Sequence, residues 1–126
     1  MNGTVREWIQ KAEADFATAK RELQVKDQPN YDGVCFHAQQ GVEKLMKALL
    51  INKGVTPPKT HRLFVLDELL RPVCPDWEAD KESLRLLTNA AIDFRYPGET
   101  ADYDEAKEAL EISLRLRERL LALFSD

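Results

Sequence analysis

Apolar residues recur at helical spacing along most of the chain. Between residues 4 and 25 they fall three or four positions apart, at Val5, Trp8, Ala12, Phe16, Ala19 and Leu23. This spacing predicts an amphipathic helix, because residues three and four apart share one helix face. Thr4 is the expected N-cap, with Glu7 at the spacing of a capping box. Pro29 closes the segment, since proline cannot continue a helix.

A second helix is expected from about Tyr31 to Lys53, and it has two distinct faces. The first face is a wide apolar arc formed by Val34, Cys35, Ala38, Val42, Leu45, Met46 and Leu49. His37, Gln40 and Lys44 share another face, which we expect to lie away from the core. Gly54 and the proline-containing loop 56–59 are the expected end of this helix.

Three further helices complete the pattern. Thr60 is the expected cap of a third helix that ends before Pro72, a fourth runs from 78 to 94, and a fifth runs from 102 to 124. The fifth carries two adjacent apolar stripes, so we expect it to be central or to face a partner chain as well. The sequence shows no β-alternation. It therefore predicts an all-α, antiparallel up-and-down helical bundle of about five helices, as a single domain over residues 1–126.

The expected core contains large apolar side chains from all five helices. They are Trp8, Phe16, Val42, Leu45, Leu49, Leu66, Leu87, Phe94, Leu114 and Leu121. A chain of 126 residues with a single core buries roughly two-thirds of its surface, so it needs no disulfide or metal for stability. We expect Cys35 and Cys74 to be reduced thiols in a cytoplasmic protein.

The charge balance limits the possible partners. The formal net charge is −4 and the isoelectric point is about 5.3, which excludes a globally basic nucleic-acid coat. Contact with RNA or a nucleotide would therefore need a local basic patch, and no DNA-specific motif is present. No apolar run follows the first residues, and no stretch approaches 18 apolar residues. We therefore expect neither a signal peptide nor a membrane span.

Two common kinds of catalytic site lack support in the sequence. The two histidines, His37 and His61, form no HxxxH pair, and neither has a glutamate three residues before it. We therefore expect no metal and no other cofactor. Cys35 and His37 project to opposite sides of one helix, so they cannot form a nucleophilic dyad. No GxSxG motif or glycine-rich phosphate loop occurs.

A polar constellation remains as the candidate ligand site. Its members are Lys44 on the second helix, Lys59 and His61 near the start of the third, and Arg95 and Tyr96 after the fourth. Helix N-termini attract anions, so the third helix offers a possible phosphate site. Each residue also has a structural alternative. Lys44 can belong to a solvated face, His61 can cap its helix, Arg95 can pair with a carboxylate, and Tyr96 can simply pack.

Three segments of the sequence together resemble a known family. Tyr31 and the stretch 36–49, Phe-His-Ala-Gln-Gln-Gly-Val-Glu-Lys-Leu-Met-Lys-Ala-Leu, resemble the second-helix signature of HEPN domains, nucleotide-binding domains of higher eukaryotes and prokaryotes. Lys59-Thr60-His61-Arg62-Leu63 is similar to the element that opens their third helix. Arg95-Tyr96-Pro97 is similar to an element late in the domain. The resemblance covers residues 5 to 124 and is carried by three elements in the family's order.

The resemblance implies a small helical bundle that is commonly a homodimer. Many family members are encoded beside a minimal nucleotidyltransferase in toxin–antitoxin-like pairs, and others are metal-independent ribonucleases. The nucleases carry an Arg-x4–6-His motif, which this chain lacks. No histidine follows Arg95, and no arginine precedes His37 or His61 at that spacing. Without a histidine to transfer protons at neutral pH, an arginine alone would support only weak RNA cleavage.

These observations leave three functions open. We expect a non-catalytic, homodimeric protein that binds a nucleotide or an RNA phosphate near Lys44, His61 and Arg95, or presents that surface to a nucleotidyltransferase. The first alternative is a ribonuclease toxin that uses an unconventional pair formed by Arg95 and His61, so the question of enzyme activity stays open. The second alternative is a pure interaction module without a ligand.

Overall fold

Five α-helices form the part of the chain that the structure describes. The computed structural model describes residues 1–93 and 96–125. The helices are α1 (Gly3–Leu23), α2 (Tyr31–Asn52), α3 (Leu63–Leu70), α4 (Lys81–Asp93) and α5 (Tyr103–Leu121). No strand occurs within these residues, and the predicted all-α bundle is confirmed. The predictions for Phe94 and Arg95 lie outside the described residues.

The central element of the bundle is α2. It packs against each of the other four helices, most extensively against α1 and then α5. Its predicted apolar arc is buried, and burial continues around the helix to Gln39, Glu43 and Lys47. Of the two alternatives for α5, the central position belongs instead to α2, against which α5 mainly packs, and contact with a partner chain stays a prediction. A helix with neighbours on several sides has to bury some of its polar residues, and this requirement shapes the candidate site.

The predicted core is largely confirmed. Phe16, Val42, Leu45, Leu49, Leu66 and Leu87 are buried. Trp8, Leu114 and Leu121 are only partly buried, so the prediction of a core position was too strong for these three. Leu114 and Leu121 lie on α5 and pack, partly buried, against the core. The chain therefore covers part of the double stripe by itself.

Two of the predicted helix caps are wrong. At the start of α1, the side chain of Asn2 accepts a hydrogen bond from the Val5 backbone N–H at 2.8 Å, and Thr4 lies inside the helix. Asparagine is a better N-cap than threonine, which accounts for the earlier start. Thr60 does not cap α3 either. Its hydroxyl accepts from the Arg62 backbone N–H at 3.1 Å, so the chain makes a turn before α3 begins.

The other helix boundaries follow from local hydrogen bonds. Asp102 caps α5 in a reciprocal capping box with Glu105, as expected for a helix that begins near Asp102. Helix α4 begins at Lys81 and not at Glu78. The preceding segment is held by buried Trp77, whose indole N–H donates to the buried carboxylate of Asp67 at 2.9 Å. Asp80 then accepts from the Glu82 backbone N–H, which favours a start at this point.

Close packing of α1 on α2 depends on one glycine. A Cβ atom added at Gly41 would lie 2.7 Å from two ring carbons of Phe16, which is buried in the core. Contacts this short require one of the two helices to shift, because the Phe16 ring is enclosed by packed neighbours. Gly3 has no neighbouring atom within 4 Å of such a Cβ, so it offers a matched control on the same pair of helices.

We therefore expect Gly41→Ala to lower the free energy of unfolding by about 1–3 kcal/mol, the usual cost of overpacking a core. Gly3→Ala should cause no loss, because alanine favours helix and meets no obstacle. Urea unfolding of both variants measures the difference. Adding Phe16→Leu to Gly41→Ala should cost less than Phe16→Leu alone. Equal stability of the two glycine variants would contradict the close contact.

Candidate functional site

Two buried carboxylates lie at the polar side of α2. The first belongs to Asp15 on α1. His37 Nδ1 lies 2.8 Å from one of its oxygens, and Lys44 Nζ donates to the other at 2.6 Å. Asp15 is 8% exposed, so both contacts are shielded by the packing of the two helices. The predicted site residue Lys44 is therefore held in an interhelical ion pair.

The second buried carboxylate, that of Glu43, has four side-chain partners. Lys47 Nζ donates to it at 3.2 Å, and the side-chain amides of Gln39 and Gln40 each donate at 3.3 Å. His61 Nδ1 lies 3.2 Å from both carboxylate oxygens. Glu43 is 2% exposed. A buried carboxylate is tolerated only when it is paired and hydrogen-bonded in this way. We call these five residues the Glu43 network.

The Glu43 carboxylate sets the orientation of the groups around it. An ionised carboxylate only accepts hydrogen bonds, so Gln39 and Gln40 turn their amide nitrogens towards it. Gln39 also donates to the His61 backbone carbonyl at 3.1 Å, and its oxygen accepts from Gln40 at 2.8 Å. The contact of His61 Nδ1 with the same carboxylate favours the ring tautomer that carries its proton on Nδ1. The amide oxygen of Gln40 is left without a donor among the described residues.

Lys47 extends the Glu43 network to α1. Its ammonium lies 5.8 Å from the ring centroid of Trp8, within the range of a cation–π contact. The side chain of Lys47 is 9% exposed, so it does not belong to a solvated face. Trp8 itself is partly buried.

A turn of basic residues follows the loop after α2. We call residues 59–62 the cationic turn; it contains Lys59, His61 and Arg62. The His61 side chain is 82% exposed although its Nδ1 contacts the buried Glu43. Lys59 and Arg62 are also exposed, and within the described residues neither forms an ion pair. The turn therefore exposes basic side chains to solvent, while the contact between His61 and Glu43 anchors it to α2.

A small groove lies beside the cationic turn, between α2 and α4. Its volume is about 140 Å³, and we call it the α2–α4 groove. It is lined by Gln39, Gln40, His61, Arg62, Thr88, Ala91 and Ile92. Ile92 is 46% exposed, which is high for a large apolar side chain. The hydroxyl oxygen of Thr88 is buried without a hydrogen-bond partner in the described part of the chain.

The predicted site residues do not all meet in one place. His61 lines the α2–α4 groove and Lys59 lies two residues before it, whereas Lys44 is bound to Asp15 and does not line the groove. Tyr96 is 61% exposed and lines a different cavity with Asp93, Glu99 and Glu105. Arg95 lies outside the described residues, so its distance from His61 stays open.

Three residues that shape this site are not among the predicted site residues. Glu43 and Lys47 are spaced four apart on a helix, which suggests an exposed pair and gives no sign of burial. Thr88 lies in α4 without a motif around it. The available signal was the run of polar residues at 39, 40, 43, 44 and 47, which is unusually dense for a helix with such a wide apolar arc.

Neither cysteine has the surroundings of a reactive thiol. Cys35 and Cys74 are both buried and unpaired. Burial raises the pKa of the Cys35 thiol to about 12, with smaller contributions from Asp32 and Glu105. The Cys35 thiol is therefore protonated at neutral pH and is a poor nucleophile.

Within the described ranges, no group of three or more His, Cys, Asp or Glu side chains could hold a metal ion. In the same part of the chain, no helix has the length and apolar character to span a bilayer.

Comparisons with known proteins agree with the fold. A family model described as HEPN domain matches residues 5–123. The crystal structure of TT1696 from Thermus thermophilus is similar, with a TM-score of 0.78 and 23% identity over 98% of this chain and 100% of that one. That of ST0689, an archaeal HEPN homologue, has a TM-score of 0.67 and 22% identity over 94% and 95%. No curated protein sequence matches significantly.

The buried ion pair of Lys47 with Glu43 should contribute far more to stability than an exposed pair of the same spacing. We expect Lys47→Met to lower the free energy of unfolding by about 1–3 kcal/mol. This is less than the roughly 3–5 kcal/mol for breaking an isolated buried pair, because Glu43 keeps three other partners. Lys107→Met is the control, since Lys107 lies 4.0 Å from Glu111 with both side chains about half exposed.

Lys107→Met should change the free energy of unfolding by less than about 0.5 kcal/mol. Chemical denaturation followed by far-ultraviolet circular dichroism measures both variants. If Lys47→Met is as stable as Lys107→Met, the Glu43 network is not a significant source of stability.

Proposed function

The chain belongs to the HEPN domain family, and from that premise we propose that it is a non-catalytic protein that binds a nucleotide or an RNA phosphate at the cationic turn. The observation that carries the proposal is the position of this turn beside the α2–α4 groove. Lys59, His61 and Arg62 are exposed there, and the groove next to them has an apolar wall formed by Ala91 and the exposed Ile92. An anionic ligand with an organic portion matches both features.

The two lysines of the predicted site have different roles in this proposal. Lys44 neutralises Asp15, so moving it to a phosphate would leave a buried carboxylate with a single partner, His37. Lys59, by contrast, forms no ion pair among the described residues. The proposed phosphate contacts therefore come from Lys59, His61 and Arg62, and Arg95 and Tyr96 stay sequence-based predictions.

We also propose the family's usual context for this chain, as a cytoplasmic homodimer that partners a nucleotidyltransferase in a toxin–antitoxin-like pair. Two exposed aromatic residues support an interface: Phe36 on α2 is 38% exposed and Tyr103 at the start of α5 is 41% exposed. The alternative of a pure interaction module would use the same exposed aromatic residues. Nucleotide binding distinguishes the two, because only the first proposal needs the cationic turn.

We expect Arg62→Ala to weaken binding of nucleotides and short RNAs by about 1.5–3 kcal/mol, the value of a hydrogen bond to a charged group. Arg115→Ala is the control, because Arg115 is exposed on α5 and forms no ion pair within the described residues. Isothermal titration calorimetry with both variants measures the difference. Equal loss in the two variants would point to non-specific charge attraction.

A second candidate function, ribonuclease activity, is favoured by one observation. His61 and Arg62 are adjacent and exposed in the cationic turn, so an imidazole and a guanidinium lie together there without Arg95. We nevertheless expect no RNA cleavage at an enzyme-like rate. The family's motif is absent, and a single histidine has to serve as both proton acceptor and proton donor.

Cleavage of a fluorescent RNA in EDTA, by wild type and His61→Ala, tests this expectation. Wild-type activity that disappears in His61→Ala would establish the ribonuclease. Equal activity in both would show a contaminant.

A further inference from the structure

The α2–α4 groove differs chemically from the cationic turn beside it. We propose that the groove is a nucleobase subsite that prefers adenine or cytosine, in which an amino group takes the place of the uracil O4 carbonyl, over uracil. This inference rests on the proposed function, because it assigns the base of the ligand whose phosphate contacts the turn. It is carried by the size of the groove, its apolar wall and the orientation of its polar groups.

The size of the groove suits one ring system. Pockets for drug-sized ligands have volumes of about 300–1,000 Å³, whereas this groove measures about 140 Å³. A whole nucleotide would not fit, so its sugar and phosphate would extend beyond the groove. Arg62 lines the groove and also belongs to the cationic turn, so a base in the groove places the phosphate near basic side chains.

The walls of the groove suit the face of a flat ring. Ile92 and Ala91 supply apolar surface, and Ile92 is 46% exposed because no described side chain covers it fully. Arg62 and His61 contribute planar cationic and aromatic groups. Stacking of unpaired bases on guanidinium and aromatic planes is a recurring mode of single-strand and nucleotide recognition. Burying a base would also remove the exposed Ile92 side chain from water.

The polar groups of the groove distinguish between bases. Gln40 lines the groove, and both of its amide hydrogens are directed to Gln39 and Glu43, which leaves its oxygen as an acceptor without a donor among the described residues. The amino groups of adenine and cytosine donate to such an acceptor, whereas uracil has a carbonyl oxygen at the equivalent position.

Four ligands of graded composition test the base subsite directly. They are adenosine, cytidine and uridine 5′-monophosphates and ribose 5-phosphate, each titrated calorimetrically against the wild-type protein. We expect the first two to bind about three- to tenfold more tightly than uridine monophosphate, the difference made by one neutral hydrogen bond. Ribose 5-phosphate should bind most weakly, because it has no base.

Two variants assign the preference to particular atoms. Gln40→Lys keeps a donor for Glu43 but replaces the amide oxygen with a donor, so it should abolish or reverse the preference for adenosine over uridine monophosphate. Gln10→Lys adds the same charge at an exposed position on α1 outside the groove and should leave the preference unchanged.

Every remaining outcome would overturn one part of the proposal. Equal binding of all four ligands would overturn the base subsite while leaving phosphate binding at the turn intact. Tighter binding of all three nucleotides than ribose 5-phosphate, without a preference among them, would overturn the assigned role of the amino group. If Gln40→Lys keeps the wild-type preference, Gln40 is not the discriminating group. No binding of any ligand to the folded protein at millimolar concentration would overturn the proposed function itself.

Discussion

The Glu43 carboxylate is placed in the interior of the bundle, almost without contact to water, and this placement constrains everything around it. It requires donors, and Lys47, Gln39, Gln40 and His61 supply them. Because one donor is His61, the carboxylate on α2 also anchors the turn before α3. The same requirement orients both glutamine amides. The stability of the central helix and the chemistry presented at the α2–α4 groove therefore depend on one buried charge.

Burial of charge on α2 follows from its position in the fold. Helix α2 contacts all four other helices, so its polar side cannot be left to solvent. Asp15 on α1 meets His37 and Lys44, and Glu43 meets Lys47, whose ammonium also contacts Trp8. The contacts of Asp15 with His37 and Lys44 join α1 to α2, whereas Glu43 and Lys47 lie on the same helix. Lys59 and Arg62, by contrast, remain outside this pairing among the described residues, which is why the cationic turn is the better candidate for an external anion.

Periodicity was enough to predict the helices, and it was not enough to predict the site. The apolar arc of α2 and the capping position of Asp102 are local features, and both were predictable. Thr4 and Thr60 failed as caps because Asn2 starts α1 earlier and Thr60 bonds within a preceding turn. A solvated face was one alternative for Lys44, but its ammonium is held by Asp15 once α1 is folded onto α2. Asp15 lies 29 residues before Lys44. Helical periodicity gives no information about an ion pair between residues that far apart in sequence.

The Glu43 carboxylate determines which of the groups around it act as hydrogen-bond donors, His61 Nδ1 among them. Long-range proton–nitrogen NMR correlation of the His61 ring tests this dependence, because it identifies which ring nitrogen carries a proton. We expect Nδ1 to be protonated whether the ring is neutral or charged, because only a protonated Nδ1 can donate to Glu43 at 3.2 Å. A neutral ring that carries its proton only on Nε2 would place two acceptors face to face and would contradict the account.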